Sequence, residues 1–310
     1  MELSAAAGVL APRMRSTDIA LDGTLTWNSQ DVTTLAPISG QPASLINISS
    51  SGSFNISAAS YSWGSDPSLL NVTNAGTLKI NNAGQARLGC NYVTSGRTQF
   101  VGGSLIIGGS ANQTGGSFEL SPGTTIVLAA PPAIGAVGVL GIRNGTITGT
   151  GSVQGSLVLG DPTPNLWNPV IAPISPDGGS GVILVTGDLQ IFNGRIQIGI
   201  TGPSKYDRVN VGGYADVTGI AVGILQKTHD AIPANTQFPF LTSSNFKNDF
   251  TTKTPPADVE ARVRVGLRAR QRLVIRRQTH RHQSHQFRWL HATLFPTEKQ
   301  VRGRTVHGNR

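Results

Sequence analysis

Short runs of alternating apolar and polar residues, each opened by glycine and a small hydroxyl residue, recur along most of this chain. Ser44–Ile56 matches Ser68–Ile80 at an offset of 24 residues, with the apolar, Asn, Gly and hydroxyl positions corresponding. The second half of that unit, Gly-[Ser/Thr]-apolar-x-apolar, returns at Gly23–Trp27, Gly103–Ile107, Gly116–Leu120 and Gly155–Leu159. Alternation with a period of two is the pattern of a strand with one buried face. Phe54 and Ile56, or Leu78 and Ile80, point to one side, and Asn55 or Lys79 to water. One such strand cannot bury its apolar face alone, so units repeating at a fixed period stack and share a core along the coil axis. Glycine at the strand entry lets the backbone turn the corner, and Asn and Ser satisfy exposed backbone groups there. The pattern predicts an all-β fold, a parallel β-helix over residues 21–250, after a poorly defined segment 1–20. An antiparallel β-sandwich suits the same alternation and stays open. No amphipathic helical periodicity occurs in this body.

Composition separates the body from the C-terminal segment. Residues 1–250 carry 11 Lys and Arg against 13 Asp and Glu, a net charge of −2, whereas residues 251–310 carry 14 against 3, a net charge of +11. The overall +9 therefore belongs to the C-terminal segment, which also holds five of the six histidines (His280, His282, His285, His291 and His307). Its Arg-, His- and Gln-rich composition predicts an unfolded basic extension or a stretch translated out of frame. Nucleic-acid or anionic-surface binding through this tail is a third reading, although no specific nucleic-acid module is visible in it. Cys90 stands alone, which excludes an intrachain disulfide and a Cys-based zinc site. Glu2 sits where a signal peptide would carry Lys or Arg, so no secretion signal is legible at the start. The uncharged stretch between Glu119 and Arg143 contains Pro131-Pro132 in its middle and glycines at 135, 138 and 141, and is expected to be strand–loop–strand and not a membrane span.

From about residue 145 to 250 the order of elements becomes specific. Gly145–Leu157 is Gly-rich, Ser175-Pro176-Asp177 forms a corner, and Val182–Leu189 reads as a strand ending in Gly187-Asp188-Leu189. Lys205–Val211 and Ala215–Gly219 come next. This order resembles the C-terminal part of autotransporter-type passenger domains and related surface proteins with autotransporter-associated β-strand repeats. Asp177 stands where that family usually has Gly, and no membrane β-barrel follows. The resemblance implies a right-handed parallel β-helix on an extracellular or cell-surface protein with an adhesive or structural role.

Candidate chemistry is sparse. Lys205 and Asp207 would share one face of a strand, with Arg208 opposite, and are the candidates for a carbohydrate-active site of the lyase or hydrolase kind. Asp177 and Asp188 are candidates for calcium in Gly-rich turns, without the regular Gly-Gly-x-Gly-x-Asp repeat. Five sequons, at Asn47, Asn55, Asn71, Asn112 and Asn144, are candidate glycosylation sites, with Asn47 and Asn71 reading as equivalent corner residues of the repeat. No triad, P-loop or dinucleotide motif is present, and no cofactor is called for. The expectation is a non-enzymatic extracellular or surface adhesin or scaffold, whose partners are glycans or a surface protein. A β-helical carbohydrate-active enzyme is the alternative.

Overall fold

The computed structural model describes residues 13–247 apart from residues 29–30, 38, 58–59, 130–136, 163–167, 176, 178, 218–220 and 227–235; for strands at 2–3, 221–226, 252–254, 260–266 and 270–276 only the backbone pairing is described. The pairing is almost entirely parallel and links strands 17–32 residues apart, which excludes the β-sandwich and gives a parallel β-helix. Each full coil has three faces. In the coil that starts at Thr77, the long strand Thr77–Leu88 supplies faces one and two on either side of an irregularity at Asn81–Gln85, and Asn91–Thr94 supplies face three. Arg97–Ile107, Ser117–Leu128 and Thr146–Gln154 repeat the long strand in the following coils.

Face three is the most regular. Ten described strands stack on it, from Asp18–Leu21 to Asn245–Lys247. One inward column runs Ile46, Val72, Tyr92, Ala111, Leu140, Leu157, Leu189 and Ala215, each no more than 1% exposed. Face one contributes Leu25, Phe54, Leu78, Thr98, Phe118, Ile147, Ile171 and Ile196 to the same interior. Burying a side chain of this size stabilises by roughly 1.5–3 kcal/mol, and the columns are continuous along the axis. Trp27, Phe54 and Trp63 close the N-terminal coils with edge-to-face contacts of 5.6 and 5.4 Å.

Where face three turns into face one, glycines stack on one another. Gly23, Gly52, Gly76, Gly96 and Gly116 lie one coil apart, and each carbonyl accepts the N–H of the residue after the next glycine, from Ser53 N–H on Gly23 (2.8 Å) to Thr146 N–H on Gly116 (3.0 Å). A Cβ on Gly96 would lie 2.3 Å from the Gly76 carbonyl oxygen, and one on Gly116 would lie 1.9 Å from that of Gly96. Side chains are excluded there by backbone, which cannot step aside as a flexible side chain could.

Structural stacking departs from the sequence repeat in two ways. Ser53 pairs with Thr77, as the offset of 24 predicts, but on face three Asn47 pairs with Thr73 and Leu45 with Asn71. The turn Ser49–Gly52 is two residues longer than Ala75-Gly76, so the register slips between faces. Asn47 and Asn71 are therefore not equivalent, and both lie on strands, not corners. Gly103 and Gly155 also belong to different corners from Gly116, since Gly103 falls inside the long strand and Gly155 precedes a face-three strand.

After Thr242 the backbone includes Thr252–Thr254, parallel to Ala221–Gln226, and the antiparallel pair Glu260–Gly266 and Arg270–Arg276 set against Gln237–Thr242. The rest of the basic segment lies outside the described residues. No helix among the described residues is long and apolar enough to cross a membrane.

The glycine column sets a paired test. Gly116→Ala should lower stability by at least about 1–3 kcal/mol, because the new Cβ meets backbone and φ is +65°. Gly115→Ala, whose nearest contact would be an ordinary 3.4 Å, should leave the melting temperature close to wild type. Equal melting temperatures for the two variants would contradict backbone stacking at this corner.

Candidate functional site

Stacking brings together residues that are far apart in sequence, and it makes a hollow on face three. The outward row of that face runs Ala20, Asn47, Thr73, Val93, Asn112, Gly141, Val158, Gln190, Asp216 and Lys247. Gly141 has no side chain to fill its place between Asn112 and Val158. A groove of about 780 Å³ opens there, crossed by Val139, Gly141 and Val158 and bordered by Arg87, Arg143, Asp161 and Phe192. Val139 is 45% exposed and Val137 is 48% exposed, so the hollow has an apolar lining open to solvent. That volume falls within the range of small-ligand sites.

Lys205 and Asp207 are placed differently. The expected continuous strand breaks at Asp207: Lys205-Tyr206 folds back antiparallel on Ile200 and Gly202, and Arg208–Val211 begins the next parallel strand. Lys205 is exposed, whereas Asp207 is 2% exposed, so the two do not share a face. One Asp207 carboxylate oxygen accepts the Gly181 N–H at 2.8 Å and the other accepts the Gly199 N–H at 2.7 Å. Asp207 thereby pins two amides of separate coils, Gly181 at the entry to Val182–Val185 and Gly199 within the strand Arg195–Gly202. Arg208 lies over the Tyr206 ring at 5.6 Å, and Tyr206 meets Phe238 edge-to-face at 5.1 Å.

The other candidate aspartates sit in turns. Asp177 is exposed and accepts hydrogen bonds from the Ser175 hydroxyl and, at 3.1 Å, from the Gly179 N–H. Those two bonds hold its carboxyl below the usual range. Asp188 is half-buried, and its Oδ1 accepts the Tyr214 N–H at 2.9 Å. Among the described residues no three His, Cys, Asp or Glu side chains gather in a metal-binding group. Of the sequon residues, Asn47 and Asn71 are exposed, and Asn55, Asn112 and Asn144 are half-buried. Asn47 Oδ1 accepts the Thr73 hydroxyl at 2.8 Å, one rung of a side-chain ladder between coils. Cys90 is buried, which pushes its thiol well above the usual range, and His229 lies outside the described residues.

The core also holds a polar cluster that the alternation does not predict. Inward on face three, Asn74, Thr94 and Gln113 succeed Ile48 and precede Ile142. The Asn74 amide donates to the Tyr92 hydroxyl (3.1 Å), to Thr94 Oγ1 (3.1 Å) and to the Arg97 carbonyl (3.0 Å). The Tyr92 hydroxyl also bonds Thr98 Oγ1 at 2.6 Å. Burial raises the Tyr92 hydroxyl to about 12, against the opposing pull of bonds to Thr98, Thr94 and Asn74, so it stays protonated at neutral pH. The signal in the sequence is hydroxyl and amide residues at positions where the alternation demands apolar ones.

No protein-family model matches the chain, and no curated protein matches it. The likeness to autotransporter passengers thus extends, on the structure, to the parallel β-strand architecture.

Two of these contacts can be tested directly. Asp207→Asn keeps the shape but turns an amide N–H₂ toward one of the two backbone donors. It should cost about 2–4 kcal/mol in chemical denaturation, and an unchanged midpoint would contradict the clamp. On face one, Arg97 pairs with Glu119 at 2.5 Å. Burial opposes ionisation of Glu119, but the Arg97 and Ser117 hydrogen bonds and the Arg97 charge outweigh it and hold its carboxyl below the ordinary value. A depressed carboxyl pKa stabilises the fold above the unfolded-state value and loses that contribution as pH falls through the folded one. Acid titration should therefore show a small loss, about 0.5 kcal/mol for so exposed a pair, that Glu119→Gln abolishes.

Proposed function

We propose that this chain is a non-enzymatic adhesin or scaffold of the extracellular or cell-surface kind, similar in role to autotransporter passengers, and that it works by presenting a rigid, ordered surface to a glycan or surface protein. The observation that carries this reading is the side-chain ladder joining successive coils on the outer faces. On face two Thr125 and Ser152 bond at 2.6 Å, and the Thr242 hydroxyl donates to Asn210 Oδ1 at 2.9 Å. On face three the Asn91 amide donates to the Pro67 carbonyl at 3.1 Å, and Asn91 Oδ1 accepts the Ser110 hydroxyl at 3.1 Å. Face one lines up Thr26, Asn55, Lys79, Gln99, Glu119 and Thr148 at the spacing of neighbouring strands, about 4.8 Å. Hydroxyl and amide groups fixed in this way lose little freedom when a partner docks, which favours binding.

The two-carboxylate geometry of a glycosidase has no support around Lys205, because Asp207 is buried against backbone amides. The discriminating experiment presents the purified chain to a glycan array and to a polysaccharide panel. Retention of at least one glycan class without new reducing ends or unsaturated sugars is expected. Product that appears with the wild type and disappears with Lys205→Ala would instead establish a carbohydrate-active enzyme.

A further inference from the structure

We infer that the groove on face three binds an acidic saccharide, a chain of sugars carrying uronic-acid carboxylates. This rests on the adhesin reading above and names the ligand class for it. The charge of the groove comes first. Arg87 stands where face two turns into face three and Arg143 just beyond the far end of the face-three strand, so the two cations border the hollow on opposite sides. Neither guanidinium takes part in an ion pair among the described residues, where the pairs are Arg97–Glu119 and Lys247–Asp216. Asp161 is the single carboxylate on the border, leaving the groove net positive. In a body whose net charge is −2, two unneutralised arginines beside one apolar hollow are a local reversal of sign. Guanidinium forks match carboxylates bidentately, which a lysine pair would not do.

The floor discriminates a sugar chain from an acidic peptide. Asn112, Gly141 and Val158 are paired in register with the coils on either side, so their backbone groups are committed to the parallel ladder. An extended peptide laid across them would find no strand edge to join and would leave its own amides without partners. A pyranose ring makes no such demand. Its C–H face can rest on Val139, Gly141 and Val158 or against Phe192, while its hydroxyls remain at the rim within reach of the Asn112 amide and of water. The missing side chain at Gly141 gives the ring its depth.

Isothermal titration with short uronic-acid oligomers, of galacturonate and of glucuronate-containing hyaluronan, tests this, beside neutral maltose oligomers and polyglutamate. Uronate oligomers should bind, and Arg87→Ala and Arg143→Ala should each weaken them by about tenfold or more with the melting temperature unchanged. Gly141→Val, whose Cβ would meet only the movable Asn112 side-chain oxygen at 2.8 Å, should block binding by filling the floor. The inference is overturned if uronates fail to bind, if both arginine variants bind as the wild type does, or if polyglutamate competes equally. Neutral glycans or a surface protein retained where uronates are not would sink the ligand class and leave the adhesin reading standing. Cleavage of the oligomers would sink the adhesin reading itself.

Discussion

Backbone packed directly on backbone at the corner between faces three and one is the constraint on which the rest depends. At this corner the interstrand hydrogen bonds continue through the turn, with Thr77 N–H on the Gly52 carbonyl, Arg97 N–H on Gly76 and Ser117 N–H on Gly96. The coils can close to that distance only where a Cβ is missing, and the carbonyl beneath Gly52, Gly76, Gly96 and Gly116 leaves no space for one. With the corner fixed, the register of each new coil is set against the last, and inward columns line up residue on residue. A slip by one position would carry Phe54, Leu78 and Phe118 to the solvent side.

Fixed columns also explain how the core tolerates polarity. Asn74, Thr94 and Gln113 occupy consecutive rungs, so each can reach the backbone or side chain of the coil next to it, and Tyr92 and Thr98 join from the neighbouring columns. Isolated, any of these groups would cost a few kcal/mol to bury. In a ladder the Asn74 and Gln113 N–H₂ groups and the Tyr92 and Thr94 hydroxyls meet polar partners at strand spacing, and only the Asn74 Oδ1 and Gln113 Oε1 atoms stay without a hydrogen bond. Asp207 obeys the same logic at the other end of the chain, with a buried carboxylate satisfied by the Gly181 and Gly199 amides.

Much of the body was legible because its strongest local rule, alternation after a glycine, is also its tertiary rule. Phe54, Ile56, Leu78 and Ile80 stack as the repeat implies, and Gly52 and Gly76 share one corner. Alternation says nothing of turn length, however, so the two extra residues in Ser49–Gly52 hid the true pairing of Asn47 with Thr73. Nor does it distinguish corners, and the same Gly-Ser-apolar unit at Gly103 and Gly155 falls at other places in the coil. The strand expected through Asp207 failed for a different reason. A carboxylate satisfied by two backbone donors can turn inward, and no pattern of apolar residues announces that. The groove was illegible in principle, because Arg87, Arg143 and Phe192 meet only after several coils have stacked.

The hollow lies on face three, and the outward rows of faces three and one differ in the length of their side chains. Face one sets Lys79, Gln99 and Glu119 side by side, and Arg97 folds onto Glu119, so long side chains cover the strand surface and neutralise one another. Face three places Asn112, Gly141 and Val158 together, short or apolar groups that leave the sheet bare. A parallel sheet is rarely open to solvent on either side, because covering elements usually bury both. In a β-helix the outer side is bare by construction, and row-by-row side-chain length decides where a partner can come close to the backbone. A rigid column of nearly neutral residues is therefore left with a solvent-open hollow by omission, and the charges that remain beside the gap, Arg87, Arg143 and Asp161, set its sign.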